Sequence, residues 1–286
     1  LASGIAGTAF NDSTAAPDTP YFYWLKSRNA AGASGFSAPD SGYAAPALRP
    51  LGADFDGDGR ADFALYHALT GSWTMRLSGS GYARVSIPGL MGGVTWQAAA
   101  ADFDGDGLTD PAVYAGGTGE WIVLLSASGY GRLSLPGFLG GPGWMPAPAD
   151  FDGDRRADPA VYAAAAGDWR LRLSAAGYAV QTLPRFLGGP AFSPAPADFD
   201  GDGKADPAVY AQGTGEWIIL LSGAGYTRLS LPGLLGGPGW TAVPADFDGD
   251  GKADPAVALA ADGSWRVLLS GSGYVRVDLP RFLGPS

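Results

Sequence analysis

The stretch Asp102-Phe-Asp104-Gly-Asp106-Gly-Leu108-Thr-Asp110 decides the reading of this chain. Pro111-Ala-Val-Tyr114 follows it, then a Gly turn and Glu120-Trp-Ile-Val-Leu-Leu125. A Ser-Gly-Tyr turn leads to Gly131-Arg-Leu-Ser-Leu-Pro136, and a Gly-rich loop to Trp144-Met-Pro-Ala-Pro-Ala149. These are four short β-prone runs separated by Gly punctuation. No segment keeps a 3.6-residue apolar period, so helices are not expected.

The acidic stretch recurs. Asp-Phe-Asp-Gly-Asp begins at Asp54, Asp102, Asp150, Asp198 and Asp246, each step 48 residues without insertion or deletion. Trp73, Trp121, Trp169, Trp217 and Trp265 keep the same step, as do Tyr82, Tyr130, Tyr178, Tyr226 and Tyr274. A fixed period of this size marks a solenoid, a propeller or an array. Four short strands per repeat predict a propeller blade. The expected fold is therefore all-β, a five-bladed β-propeller of 48-residue four-stranded repeats preceded by a short N-terminal β segment. The small, Pro-rich run before each acidic motif suits the innermost strand, and the repeated Trp suits packing between blades. From Pro46 to Ser286 there are five units of 48 and one residue over. No strand is left to latch the ring, so closure would rest on blade five packing against blade one; an open arc is the alternative. The expected domains are 1–45 and 46–286.

Repeats two and four agree at 37 of 48 positions, repeats two and three at 29, which points to duplication of a two-blade unit. A ring built this way is not chemically five-fold.

Composition excludes much. There are 46 Gly and 23 Pro without a Gly-X-Y period, so collagen is out, and the 46% hydrophobic content argues against wholesale disorder. No apolar run approaches the roughly 20 residues needed to span a bilayer. The absence of Cys removes disulfides, thiolate zinc sites and a Cys nucleophile; a single His67 argues against a His metal site or a Ser-His-Asp triad. A net charge of −10 argues against nucleic acid. The start at Leu1-Ala2, without Met or a signal peptide, is expected of a processed product or a fragment.

Twenty of the 26 Asp sit in the five motifs, at positions 1, 3, 5 and 9 of each. A tight loop turns such alternating carboxylates inward, and the position-7 carbonyl can add another oxygen. Hard oxygen ligands without N or S favour Ca²⁺. The candidate metal residues are Asp54, Asp56, Asp58, Arg60 and Asp62; Asp102, Asp104, Asp106, Leu108 and Asp110; Asp150, Asp152, Asp154, Arg156 and Asp158; Asp198, Asp200, Asp202, Lys204 and Asp206; and Asp246, Asp248, Asp250, Lys252 and Asp254. Up to five Ca²⁺ are expected. Position 12 is Val113 rather than Glu, which excludes an EF-hand. The bland alternative is a solvated acidic turn, opposed by the mutual repulsion of four carboxylates in nine residues. Arg155 replaces the position-6 Gly in repeat three, so that site is expected to be the weakest.

The run Asp198-Phe-Asp-Gly-Asp-Gly-Lys-Ala-Asp-Pro-Ala-Val-Tyr210 resembles the FG-GAP/VCBS repeats of bacterial exported proteins, related to those of integrin α-chain propellers. The resemblance covers 46–286. It implies a propeller with Ca²⁺ between the first two strands of each blade, and an extracellular or cell-surface setting. It does not imply one activity: members serve adhesion, sugar binding and scaffolding, and some are joined to enzymes.

The first 45 residues are different. Tyr21-Phe-Tyr-Trp-Leu-Lys-Ser-Arg-Asn29 and Gly32-Ala-Ser-Gly-Phe-Ser37 resemble the last two strands of a fibronectin type III domain, and 5–12 resembles the preceding strand. Three strands cannot make a sandwich of about seven. Either the upstream half is missing or another surface completes the segment, in which case a homo-oligomer or fibre joined through 1–45 is the expectation. Asn11-Asp-Ser13 fits a glycosylation sequon, a triplet common by chance.

No constellation for catalysis stands out. Glu120 and Glu216 recur at equivalent positions, with Asp168 between them, and are read as caps of a turn; His67 is read as a surface residue. The leading expectation is a non-catalytic, Ca²⁺-stabilised interaction or scaffold module of an exported bacterial protein, with an unidentified protein or glycan partner. A sugar-binding propeller is the alternative, using Tyr66, Tyr114, Tyr162 and Tyr210 with Trp96, Trp144, Phe192 and Trp240 as stacking rings. The competing role for those rings is filling space between blades.

Overall fold

The structure, a computed structural model, describes residues 20–24, 26–29, 32–38, 40–43, 48–89, 95–231, 233 and 235–283. The chain divides into two compact units, Leu1–Ala47 and Leu48–Ser286.

In the first unit, Pro20–Tyr23 pairs antiparallel with Asp40–Tyr43, and Arg28–Asn29 with Gly32–Ala33. The expected continuous strand over 21–29 is thus broken after Tyr23, because Asp40–Tyr43 supplies a ladder partner for only four residues. Ser34 donates its N–H to the Ser27 carbonyl at 2.9 Å and lengthens the second hairpin. Two small ribbons do not establish a fibronectin-type fold. The expected strand over 5–12, with Asn11, lies outside the described residues.

The second unit is a five-bladed β-propeller, each blade four antiparallel strands in sequence order. The strands of blade one are Leu48–Ala53, Asp62–His67, Ser72–Leu77 and Ala83–Ile87; those of blade two are Trp96–Ala98, Ala112–Ala115, Glu120–Leu125 and Gly131–Leu135. Blade three has Met145–Pro146, Ala160–Ala163, Asp168–Arg172 and Val180–Leu183. Blade four has Phe192–Pro194, Ala208–Ala211, Glu216–Leu221 and Thr227–Leu231; blade five has Trp240–Ala242, Ala256–Leu259, Ser264–Leu269 and Val275–Leu279. Among the described residues there is no α-helix, only three single 3₁₀ turns. First strands of adjacent blades approach one another, so the small residues lie where the blades converge.

The second and third strands carry the core. Trp73, Trp121, Trp169, Trp217 and Trp265 are almost wholly buried, as are Tyr66, Tyr114, Tyr162 and Tyr210. Each Tyr lies across the hairpin from its Trp, ring centroids 5.1–5.2 Å apart. Burying such rings, about 150–250 Å² each, is a large part of what holds a blade together.

The ring is closed. Ala61, Phe63 and Leu65 of blade one pack into one apolar cluster with Phe247, Ala256, Trp265 and Leu283 of blade five. Arg76 donates its Nε–H to the Phe282 carbonyl at 2.8 Å across the same junction. Face packing between the end blades therefore replaces a latch strand.

Candidate metal centres

Each acidic motif forms the loop between the first two strands of its blade, and the carboxylates hold that loop in shape. Position 1 accepts two backbone N–H bonds: Asp102 Oδ1 from Gly105 at 2.6 Å, and Oδ2 from Gly107 at 2.9 Å. Both glycines have positive φ, 82° and 88°, which their missing Cβ permits. Position 5 accepts the position-7 N–H, Leu108 to Asp106 Oδ1 at 2.9 Å. These bonds repeat in all five loops.

The loop is pinned to the start of the turn between strands three and four. Asp104 Oδ2 accepts the Ala127 N–H at 3.1 Å, and Asp106 Oδ2 accepts the Ser126 hydroxyl at 2.8 Å. Ser78, Ser126, Ser174, Ser222 and Ser270 all donate in this way. That series was not among the sequence-derived candidates, although it keeps the 48-residue period.

Position 9 is the deepest carboxylate. Asp62, Asp110, Asp158, Asp206 and Asp254 are fully buried. In each, one oxygen accepts the position-2 N–H and the other the N–H of the series Ser, as with Phe103 at 2.8 Å and Ser126 at 2.7 Å on Asp110. These Asp are structural clamps whatever else they bind.

The carboxylates converge. One oxygen each from Asp54, Asp56 and Asp58 lies within 4.8 Å of the others; the same holds for Asp102, Asp104 and Asp110, for Asp150, Asp152 and Asp158, for Asp198, Asp200 and Asp206, and for Asp246, Asp248 and Asp250. Position 3 bears on what fits there. Asp56 Oδ1 and Asp104 Oδ1 are buried and have no hydrogen-bond partner. A buried carboxylate oxygen without a donor is costly unless a cation satisfies it. The donor set is oxygen only, which fits a hard cation. Five Asp clusters, one per blade, could thus hold metal ions.

Electrostatics agree. Burial, against the lowering effect of the N–H bonds and with added repulsion from neighbouring carboxylates, raises Asp54, Asp62, Asp102, Asp110, Asp198, Asp206 and Asp254 above the usual carboxylate value. The same causes push Asp158 to about 6. A bound divalent cation reverses that logic by favouring the ionised form.

Loop three keeps its shape despite Arg155, which adopts φ 72° and donates its N–H to Asp150 Oδ2 at 2.8 Å. The side chains at position 7 leave their own loops. Leu108, Arg156, Lys204, Lys252 and Arg60 lie against Gly57, Gly105, Gly153, Gly201 and Gly249, each on the loop of the preceding blade.

Residues 54–113 match the FG-GAP-like repeat family. The propeller thus contains one stretch similar to FG-GAP-like repeats. The acidic motif of that stretch recurs in the other repeats with the same period and the same hydrogen bonds. No curated protein matches the chain. Among solved structures, a chain of the Photorhabdus luminescens Tc holotoxin pore matches over 90% of this chain and 13% of its own length, with 17% identity and a TM-score of 0.39. This chain therefore spans only a small part of that toxin chain.

The other candidates separate. The Tyr66 series is buried, so those rings cannot serve as open stacking platforms; they are core because alternation points them into the blade. Arg170 lies 4.4 Å from the Trp144 ring and Arg266 4.0 Å from the Trp240 ring, occupying faces a sugar would need. Glu120 and Glu216 begin the third strands of different blades, and Asp168 accepts the Arg185 N–H at 2.8 Å. His67 ends a strand half-buried, its Nδ1 without a partner, rather than lying on the open surface. Among the described residues no helix is long and apolar enough to cross a membrane.

Proposed function

We propose that this FG-GAP-like propeller is a non-catalytic, Ca²⁺-stabilised interaction or scaffold module of an exported bacterial protein. The observation that carries the reading is the set of five oxygen-only clusters, with partnerless buried oxygens on Asp56 and Asp104. The ligands of each ion would be the carboxylates at positions 1, 3, 5 and 9 and the carbonyl at position 7. The ion would neutralise charge crowded into a short loop, and so act on stability rather than on a reaction. Sites of this kind in extracellular modules fill at Ca²⁺ concentrations of about 10⁻⁴–10⁻³ M, which supports an extracellular setting. Calorimetric titration of chelator-treated protein with Ca²⁺ tests the reading. Saturable binding of several equivalents supports it; no heat and no change in thermal midpoint overturns it.

For residues 1–45 we keep a second reading, a contact beyond their own propeller, supported by Trp24 and Phe36, which are 53% and 70% exposed. Deleting 1–45 should dissolve any assembly seen by scattering. Assemblies that survive the deletion remove the reading.

A further inference from the structure

The five junctions between blades are not filled alike. In three of them a Leu on the third strand of the following blade enters the core of the preceding one. Leu124 packs with Trp73 and Met75, Leu220 with Trp169 and Leu187, and Leu268 with Trp217 and Ile219. The equivalent residue in blades one and three is Arg76 and Arg172, and these behave alike. Arg172 donates to the carbonyls of Phe138 and Tyr178 at 2.9 and 2.8 Å and lies 4.4 Å from the Phe138 ring. Arg76 donates to the carbonyls of Phe282 and Tyr82 at 2.8 and 3.1 Å and lies 4.9 Å from the Phe282 ring. In both places Arg, Phe and Tyr build a wall across the junction.

Only one of these two walled junctions is filled. Between blades five and one, the Phe63 ring stacks on Phe247 at 4.8 Å and 25°, and meets Trp265 and Phe282 edge-on, each at 4.9 Å. The residue equivalent to Phe63 in blade three is Pro159, one residue after the position-9 Asp. Between blades two and three there is a cavity of about 340 Å³ instead, lined by Phe103, Trp121, Phe138, Pro159 and Tyr178 among others. Phe103, Trp121, Phe138 and Tyr178 are the counterparts of Phe247, Trp265, Phe282 and Tyr82, the four rings around Phe63.

We propose that the junction between blades two and three is a binding site for a small neutral aromatic molecule. Phe63 shows the pose: one ring face on Phe103, with Trp121 and Phe138 steeply inclined to it. A cavity of roughly 150 Å³ already accepts benzene in a protein core, so this one has room for one or two fused rings. The lining is almost entirely apolar, Asp104 and Arg156 apart, which excludes a carbohydrate or a highly charged ligand. Offset-stacked and edge-on ring contacts supply the preference for an aromatic over an aliphatic guest.

The test is ¹⁹F NMR of fluorobenzene with the full chain, read as line broadening, with fluorocyclohexane as the aliphatic comparison. The wild type should bind one equivalent of fluorobenzene and prefer it at least several-fold. Pro159→Phe copies blade one and should abolish the broadening. Phe63→Ala should open a second, equivalent site and double the stoichiometry. Leu133→Trp, at an exposed position on the cavity wall, serves as a second filler should Pro159→Phe not fold. No broadening with the wild type overturns the proposal, as does broadening that survives both fillers or equal binding of the two probes.

Discussion

The Ala61 N–H donates to the Asp246 carbonyl at 2.5 Å, joining the acidic loop of blade one to that of blade five. The same bond recurs from Thr109 to Asp54, Ala157 to Asp102, Ala205 to Asp150 and Ala253 to Asp198, at 2.6–2.7 Å. The five loops therefore form a closed hydrogen-bonded circle. In each bond the acceptor is the carbonyl of a position-1 Asp, whose side chain is a candidate ligand. Order in any one loop is thus tied to order in its neighbours.

Ca²⁺ should raise the thermal midpoint, and chelation with EDTA should lower it. Binding to the native state alone adds about 2.7 kcal/mol for each site held at a hundred times its Kd. Because the loops are linked, Asp104→Ala should weaken binding at adjacent loops as well as remove its own site. Calorimetric stoichiometry with this variant checks both points. An unchanged midpoint in EDTA would falsify the stabilising role.

Asp254→Ala should destabilise the protein even in EDTA. Asp254 is fully buried and accepts the N–H groups of Phe247 at 2.9 Å and Ser270 at 2.6 Å. Leaving two buried donors without an acceptor costs about 2–4 kcal/mol. Urea unfolding in chelator gives the number. A loss seen only with Ca²⁺ would make Asp254 a ligand and nothing more.

Phe63→Ala should cost about 3–5 kcal/mol, as for a large aromatic truncated in a core. It removes the ring that stacks on Phe247 and meets Trp265 across the closing junction. Phe36→Ala, at an exposed position outside the propeller, should cost nothing measurable. Equal midpoints for the two variants would show that the junction does not rest on Phe63.

How much of this was legible in the sequence follows from what a repeat can reveal. The period and the alternating Asp give the blade number, the strand order and the place of the acidic loop, because each is local to one repeat. The circle of loops is not local: the Ala61–Asp246 bond joins repeats at opposite ends of the chain, and no pattern inside one repeat marks it. Ser126 keeps the period but carries no signal of its own, since a Ser after a strand is common. The Tyr114 series fits filling between blades better than an open stacking surface, but alternation alone names two faces without saying which is covered. Phe63 departs from the series Pro111, Pro159, Pro207 and Pro255, a difference that says nothing within one repeat. Its meaning needed the neighbouring blade.

The metal-free protein should gain stability on mild acidification. Asp158 lies at about 6 in the folded state against an ordinary value of 3.8. The folded form therefore holds more protons than the unfolded chain between those values, and stability falls as pH rises through that window. The other raised carboxylates act in the same direction. With Ca²⁺ the sign reverses, because protons then compete with the ion for the same oxygens. Thermal midpoints from pH 4.5 to 7.5, in EDTA and in millimolar Ca²⁺, should converge at the acid end and draw apart as pH rises. Parallel curves would show that these carboxylates do not bind the ion.

Arg155→Gly should strengthen the third site. Arg155 holds φ 72°, a left-handed conformation that costs a non-Gly residue about 1–2 kcal/mol. Its counterparts Gly59, Gly107, Gly203 and Gly251 adopt φ 83–88° without that cost. The backbone bond to Asp150 is already in place at 2.8 Å, so the substitution should leave the loop's shape alone. It removes one positive charge from a loop proposed to receive a cation, which adds to the expected gain in affinity. Stability in EDTA should rise by about 1 kcal/mol from the backbone effect alone. Affinity at 150–158 should rise further, read as metal occupancy by anomalous scattering at limiting Ca²⁺. Arg155→Gln separates the two contributions, since it removes the charge and keeps the strained backbone. Equal occupancy in wild type and Arg155→Gly would mean that neither the charge nor the left-handed turn limits this site.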